Sequence, residues 1–273
     1  MTKARRKQGP VVSEGPHLMT PPIESWDHYL GLVSSQPLRE WAFRGQRDAT
    51  WQLWPTISRE LRNRGVIGRF WTDQEHRLIW IFQRKALHFL ERVPEVADTP
   101  QWMALMQHHG GPTRLLDFTW SPYVAAFFAL ESSVSDAAVW AINTPKLGTN
   151  AYGPNFPPSS RPPSPNEVLS EMGLDDADDV AIGEPYFKNR RVVAQSGTFA
   201  WPFDITRPLD AILSRTEGVI AKLVLPASIR REGLRELYRM NITYATLFPD
   251  LDGLARSLAF ELEHHWQFDP TES

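Results

Sequence analysis

Apolar positions along the chain fall into short runs of two kinds, and their spacing separates strands from helices. Trp41-Ala-Phe-Arg-Gly45 is a brief apolar run closed by glycine, which predicts a strand whose backbone turns, or meets a ligand, at its end. Further on the period lengthens. Leu78, Phe82, Ala86, Phe89 and Val93 recur at helical intervals behind Thr72-Asp-Gln-Glu75, whose spacing is that of a capping box, so a helix with that face buried is expected. Thr99-Pro100 predicts a second helix start, carrying Trp102, Leu105 and Met106 and stopped by Gly110-Gly111. Ser121-Pro122 opens a third, and Val124, Ala125, Phe127, Phe128 and Leu130 make it apolar nearly all round, which implies deep burial. Clusters of β-branched and apolar residues predict strands at 137–142, 191–199 and 219–225, with helices returning at 228–240 and 250–264. Strands and helices mix without strict alternation, so the expected class is α+β, a single mixed domain, in preference to a doubly wound parallel sheet.

Composition narrows this further. The 273 residues are 42% hydrophobic and 11% aromatic, enough for one sizeable core, and no low-complexity linker separates two regular halves. One domain over 17–273 is expected. Residues 1–16 are basic at Lys3, Arg5, Arg6 and Lys7 with no apolar run behind them, and predict a disordered arm in place of a signal. No window approaches the roughly 20 apolar residues of a membrane-spanning helix. The formal charge of −3 argues against a nucleic-acid coat protein and against an acidic tail, while a local basic groove stays open. The absence of cysteine removes disulfides, thiolate nucleophiles and cysteine-ligated zinc, and suits a cytoplasmic location. Between 144 and 166 lie seven of the chain's 23 prolines, which excludes a regular helix or a central strand. A loop of that length is either a disordered insertion or a substrate lid.

Three segments carry candidate chemistry. Phe43-Arg44-Gly45-Gln46 sets a permanently charged guanidinium beside a residue without a side chain; it reads either as a phosphate clamp that a nucleotide can approach or as a buried ion-pair partner. Gln107-His-His-Gly-Gly-Pro-Thr-Arg-Leu-Leu-Asp-Phe-Thr-Trp-Ser-Pro122 crowds polar groups around a strand-like Arg114-Leu-Leu116 and runs into the buried helix. Thr119 and Ser121 stand at that helix's N-terminus, where an anion or ribose is favoured, although Ser121 taken alone reads first as a plain cap. Asp117 can orient Arg114 or a histidine, or satisfy backbone donors. Arg191-Val-Val-Ala-Gln-Ser-Gly-Thr-Phe199 ends a predicted strand in Gln195 and a glycine, either a polar group aimed into a cleft or a bulge. His108-His109 and His264-His265 do not have metal-ligand spacing, since adjacent residues of one helix project about 100° apart, and no metal is expected.

Together these residues resemble the FRG domain family: Phe43-Arg-Gly45, then His109-Gly-x-Pro-Thr-Arg-Leu-Leu-Asp-x-Thr-x-Ser-Pro122 running into Ala125 and Phe128-Ala129, then Gln195-x-Gly-x-Phe199, and last Leu247-Phe-Pro-Asp-Leu-Asp-Gly-Leu254, over roughly residues 23 to 260. A further resemblance is to ADP-ribosyltransferases of the Arg-Ser-Glu type, and it implies a split sheet flanked by helices. Arg44 stands in for their first-strand arginine, Thr119 and Ser121 for the outer residues of their Ser-Thr-Ser strand, and Phe128-Ala129 for the helix behind it. The natural third-motif position carries Gln195 where those enzymes have glutamate, with Glu184, Glu261 and Glu263 as possible substitutes. The resemblance implies NAD as substrate and transfer of ADP-ribose to RNA, DNA or protein, in a toxin or antiphage effector that an antitoxin protein can partner. Arg44, Gln195 and Thr119 would serve the reaction, and Phe43, Gly45, His109, Thr113, Arg114, Asp117 and Ser121 would join Arg44 and Thr119 in holding NAD. Two other readings stay open: a module that binds nucleotide or nucleic acid without catalysis, and a phosphodiester hydrolase using His108 or His109 as base.

The Pro-rich stretch has too little periodic apolar sequence to offset the entropy of ordering it. Limited proteolysis followed by mass spectrometry should place the first cuts between Thr144 and Asn166, and a first cut within 72–93 would overturn the single-domain reading.

Overall fold

The computed structural model describes residues 22–34, 38, 40–147, 150–151, 163–184 and 188–264. The expected arm at 1–16, most of the Pro-rich stretch at 144–166, and His265 lie outside the described residues. The first half of the chain runs through α1 (Trp26–Val33), β1 (Trp41–Gln46), α2 (Thr56–Asn63), α3 (Trp71–Ala86), α4 (Thr99–His108), β2 (Leu116–Thr119) and α5 (Pro122–Leu130). It continues through β3 (Ala137–Asn143), α6 (Thr144–Leu147), β4 (Asn150–Ala151), α7 (Pro165–Glu171), β5 (Val180–Gly183), α8 (Arg190–Ala194) and β6 (Gly197–Pro202). The last part holds α9 (Leu209–Leu213), β7 (Ile220–Leu225), α10 (Arg230–Arg239), α11 (Tyr244–Leu247) and α12 (Leu251–His264).

The strands form one seven-stranded sheet in the order β4-β5-β6-β2-β1-β3-β7, antiparallel at every junction except β4 with β5. This is the α+β domain expected. Side chains alternate between its faces, as the period of two requires. Trp41 and Phe43 of β1 join a core with α1, α5 and α10, whereas Ala42 between them joins Leu53, Trp140, Leu209 and Ile212 on the opposite face. A third core, under α3, α4 and α7, covers Phe199 and Trp201 of β6. Because Phe43 pairs with Thr119, and Asp117 with Phe199, this third core shares a sheet face with the first.

α5 is the buried helix that its composition predicts. Its N-cap is Ser121, whose Oγ accepts from the Val124 N–H at 3.3 Å, and Ala125, Ala126, Phe127, Ala129 and Leu130 have no exposed surface. Phe128 is only partly buried. α5 packs so closely on β1 that a Cβ on Gly45 would stand 2.1 Å from the Ala125 carbonyl oxygen and 2.6 Å from the Ala129 nitrogen. Glycine at 45 is therefore required by the helix, and a ligand's approach is not needed to explain it.

Three local expectations are corrected. The Thr72–Glu75 capping box does not form: α3 begins at Trp71 without a side-chain cap, and its buried face is Trp71, Glu75, Ile79, Gln83 and Ala86. Leu78 and Phe89 face outward, at 36% and 86% exposed. The face is turned because Glu75 is drawn inside by Arg114, both side chains being wholly buried. Arg114 Nε donates to Glu75 Oε2 at 2.8 Å, its backbone N–H to Glu75 Oε1 at 3.0 Å, and Nη1 to the Pro202 and Phe203 carbonyls at 3.1 Å each. The second lies in the Pro-rich stretch, where no regular helix was expected: Thr144–Leu147 forms the one-turn α6, and α7 starts at Pro165 behind Ser164, whose Oγ accepts from the Glu167 N–H at 3.2 Å; α4, by contrast, starts at Thr99 as expected, with Asp98 as its cap. The third concerns the strand expected at 191–199. Asn189 caps a short helix there, α8, by accepting from the Val192 N–H at 2.9 Å; the chain then reverses through Ser196 at φ 47°, and β6 starts only at Gly197. Local capping and a left-handed turn override the β-propensity of Val192-Val193.

Removing one partner of a buried pair leaves an uncompensated charge, which costs about 3–5 kcal/mol. Glu75→Ala should lower unfolding free energy by that amount in chemical denaturation. A loss below about 1 kcal/mol, the scale of surface substitutions, would show that the pair does not hold α3 to β2 and β6.

Candidate functional site

β1 and β2 share a single register pair, Phe43 with Thr119, whereas β1 and β3 share six and β2 and β6 four. Beyond that pair the strands part, and a cleft of about 1010 Å³ opens, with Arg44, Gly45 and Gln46 on one wall and Asp117, Phe118 and Thr119 on the other. α4 contributes Gln101, Gln107 and His108, and the α8 region Asn189, Arg191 and Gln195.

Arg44 sits in the gap. Nη1 donates to the Asp117 carbonyl oxygen at 2.6 Å and lies 3.9 Å from its carboxylate, while the side chain stays 21% exposed. Its Nε is buried and has no acceptor among the described residues. Buried N–H groups are nearly always paired, which makes this donor a candidate contact for a ligand oxygen. Burial lowers the Arg44 pKa, opposed by Asp117, and an arginine stays charged under that pull.

Asp117 is itself positioned by a short relay. Thr113, wholly buried, donates to Gln107 Oε1, and Gln107 Nε2 donates to Asp117 Oδ1 at 2.7 Å. Thr119 Oγ1 donates to the Gln195 carbonyl at 2.6 Å and accepts from the Ser121 N–H at 3.0 Å, tying the end of β2 to the turn before β6. The Gln195 side chain reaches the cleft with Nε2 bonded to the Leu247 carbonyl at 3.0 Å.

Of the residues singled out in the sequence, Phe43, Arg44, Gly45, Asp117, Thr119 and Gln195 come together around the cleft. Thr113 supports it from behind, Ser121 caps α5, and Arg114 is consumed by Glu75 in the core. His109 is exposed outside the lining, and the histidine that reaches the cleft is His108. Glu184 accepts from Trp120 Nε1 at 2.8 Å and pairs with Lys188, and neither it nor Glu261 lines the cleft; the Glu263 side chain lies outside the described residues. The carboxylates that do line it are Asp117 and Glu131.

Sequence reasoning missed much of the rim. Arg47, Arg59, Arg62 and Arg191 join Arg44, making five arginines against two carboxylates on a chain whose formal charge is −3. Three of them lie over aromatic rings: Arg47 over Trp51 at 5.1 Å, Arg62 over Trp54 at 4.7 Å, and Arg191 over Phe248 at 4.3 Å. A signal was present, because four arginines and two tryptophans crowd into the stretch from Arg44 to Arg62. Such a concave, positive, aromatic surface suits a phosphate-bearing ligand with planar rings.

Residues 39–137 match the family model of the FRG domain. The chain carries an FRG domain. That span runs from β1 through α5, so the FRG domain supplies Arg44, Asp117, Thr119 and the arginine-tryptophan rim. The other wall, with Asn189, Arg191, Gln195 and Phe248, comes from sequence beyond the match. No curated protein and no solved structure matches the chain. Among the described residues of this FRG-domain chain, no helix is long and apolar enough to cross a membrane.

Partial burial, then His109 and Arg191, push the His108 pKa below its ordinary value of 6.5, with Asp250 opposing. A histidine whose folded pKa is depressed disfavours its proton in the native state, so its contribution to stability is present above the unfolded value and lost as pH falls. An NMR titration of the imidazole should therefore give a midpoint below about 6.5, and Arg191→Gln should raise it. A wild-type midpoint at or above the ordinary value would show that the cleft does not depress proton binding at His108.

Proposed function

We propose that the cleft binds NAD and that the protein transfers its ADP-ribose to a macromolecule. The observation that carries this reading is the adjacency of three strands: β6, β2 and β1 are consecutive neighbours, so the Gln195 turn, Thr119 and Arg44 surround one opening at the place where β1 and β2 part. An arginine strand, a hydroxyl strand running into an apolar helix, and a third-motif strand are what the resemblance to Arg-Ser-Glu transferases requires. The volume accommodates a dinucleotide, at the upper end of the range common for ligand sites.

In this reading the unpaired Nε of Arg44, with the rest of its guanidinium, takes pyrophosphate oxygens while Nη1 stays on the Asp117 carbonyl. The bond from ribose to nicotinamide breaks, nicotinamide leaves neutral with the electron pair, and positive charge grows on the ribose. Asp117 and Glu131 are the carboxylates that face such a charge. An acceptor nucleophile bonds to the ribose carbon and gives its proton to neutral His108. Gln195, with its amide held by Leu247, offers its carbonyl oxygen to ribose or acceptor. A toxin or antiphage effector restrained by an antitoxin protein is the role that such an activity would suit. One observation favours a second reading, NAD binding without transfer: a neutral, tethered Gln195 lacks most of the stabilisation that a carboxylate gives an oxocarbenium ion.

Arg44 decides between these and a purely structural role. NAD should raise the melting temperature of wild type, and labelled NAD should move label into an acceptor fraction of a cell extract. Arg44→Lys keeps the charge but loses the fork, and should weaken NAD binding by about tenfold with unfolding unchanged. Binding without label movement would favour the second reading. A folded wild type showing neither stabilisation nor transfer would overturn both.

A further inference from the structure

The segment joining β1 to α2, with α2 itself, builds the outer lip of the cleft. We propose that this lip holds a single-stranded nucleic acid, RNA or DNA, as the acceptor; that role rests on the transferase reading, whereas the binding itself does not. Trp51 is 45% exposed, Arg47 lies against its ring, and Trp54 stands beyond it with Arg62 over its face. Arg59 donates to the Trp54 carbonyl at 2.7 Å and to Thr56 Oγ1 at 2.9 Å, which fixes a third guanidinium on the same lip. Among the described residues none of these three arginines is within ion-pair distance of a carboxylate; the ion pairs lie elsewhere.

The lip is braced from behind. The Ala49 N–H donates to the Asp136 carbonyl at 2.8 Å and Lys222 Nζ to the Ala49 carbonyl; the Leu53 N–H donates to Asp210 Oδ1 at 2.7 Å and the Leu209 N–H to the Leu53 carbonyl at 2.9 Å. Leu53 is wholly buried while Trp51, two residues earlier, faces outward. Its backbone is thus held before anything binds, which reduces the entropy lost on binding.

Guanidinium groups beside an exposed indole match a chain that carries both phosphates and bases. An acidic peptide would answer the arginines but leave the tryptophan faces unused, and a duplex keeps its own base faces stacked. The lip and Arg44 line the same cleft, so a strand lying there would bring its bases and sugars to the place where ribose would react.

The test uses the full chain and fluorescein-labelled oligo(U) and oligo(dT), read by fluorescence anisotropy between about 50 and about 200 mM salt. Binding is expected, with log affinity falling linearly against log salt, and the tighter of the two arms names the natural source. Trp51→Ala should weaken binding about tenfold without changing the melting temperature, as loss of one stacking face does. The double variant Arg47→Gln with Arg62→Gln should flatten the salt slope by about 1.4, since each single-strand phosphate contact contributes about 0.7. No binding by folded wild type at low salt, or binding indifferent to both variants, would overturn the proposal. Melting with NAD, run on the same samples, separates the two readings. Oligonucleotide binding without NAD stabilisation sinks the transferase and keeps the lip; label moving only into protein, with no oligonucleotide bound, does the reverse.

Discussion

Arg114 and Glu75 form a charged pair with no exposed surface, and the cleft's inner architecture depends on it. One guanidinium meets α3 through the Glu75 carboxylate, the end of β6 through two carbonyls, and stands two residues before β2 begins. Burying such a pair is costly unless every donor is answered, and here Nε, Nη1, Nη2 and the backbone N–H all are. With α3 pinned in this way, α4 packs beside it over β6 and delivers Gln107 and His108 to the cleft. The same run of residues therefore serves structure at Arg114 and chemistry three residues later at Asp117.

The opening itself is a consequence of how α5 sits. That helix lies so close to β1 that only glycine fits at 45, and it takes up the face of β1 and β3. β6 is covered instead by the core under α3, α4 and α7. Two packing units thus divide one sheet face, and the single β1–β2 register pair marks their seam. Arg44 stands at that seam with one N–H group unanswered. In the proposed reading the sheet supplies the scaffold and a ligand oxygen completes the bonding of this donor.

Charge reinforces this division. A chain of formal charge −3 gathers five arginines around one cavity and sets aromatic rings against three of them. Low-dielectric walls and one dominant sign of charge focus the field into the cleft, favouring an anionic ligand there without making the whole surface adhesive.

Much of the fold was legible in the chain alone, because it rests on local physics. The strands at β1, β3 and β7, the apolar α5 with its Ser121 cap, and the late helices follow from period, propensity and capping, and the FRG motifs marked Arg44, Asp117, Thr119 and Gln195 in advance. Where local signals compete, sequence misleads: Glu75 has the spacing of a cap and is a core ion, and Val192-Val193 look like strand and form a capped helix. The two arginines of the motifs read alike in the sequence, yet one is fully paired inside and the other meets Asp117 across the seam with its Nε unpaired. Nothing in Phe-Arg-Gly or Thr-Arg-Leu decides which, because the decision belongs to the partner that faces each guanidinium, a glutamate 39 residues before Arg114 and an open seam for Arg44. Local sequence determined the elements and the chemistry available. Only the packing of distant elements decided which groups would be spent on holding the fold and which would line the cleft.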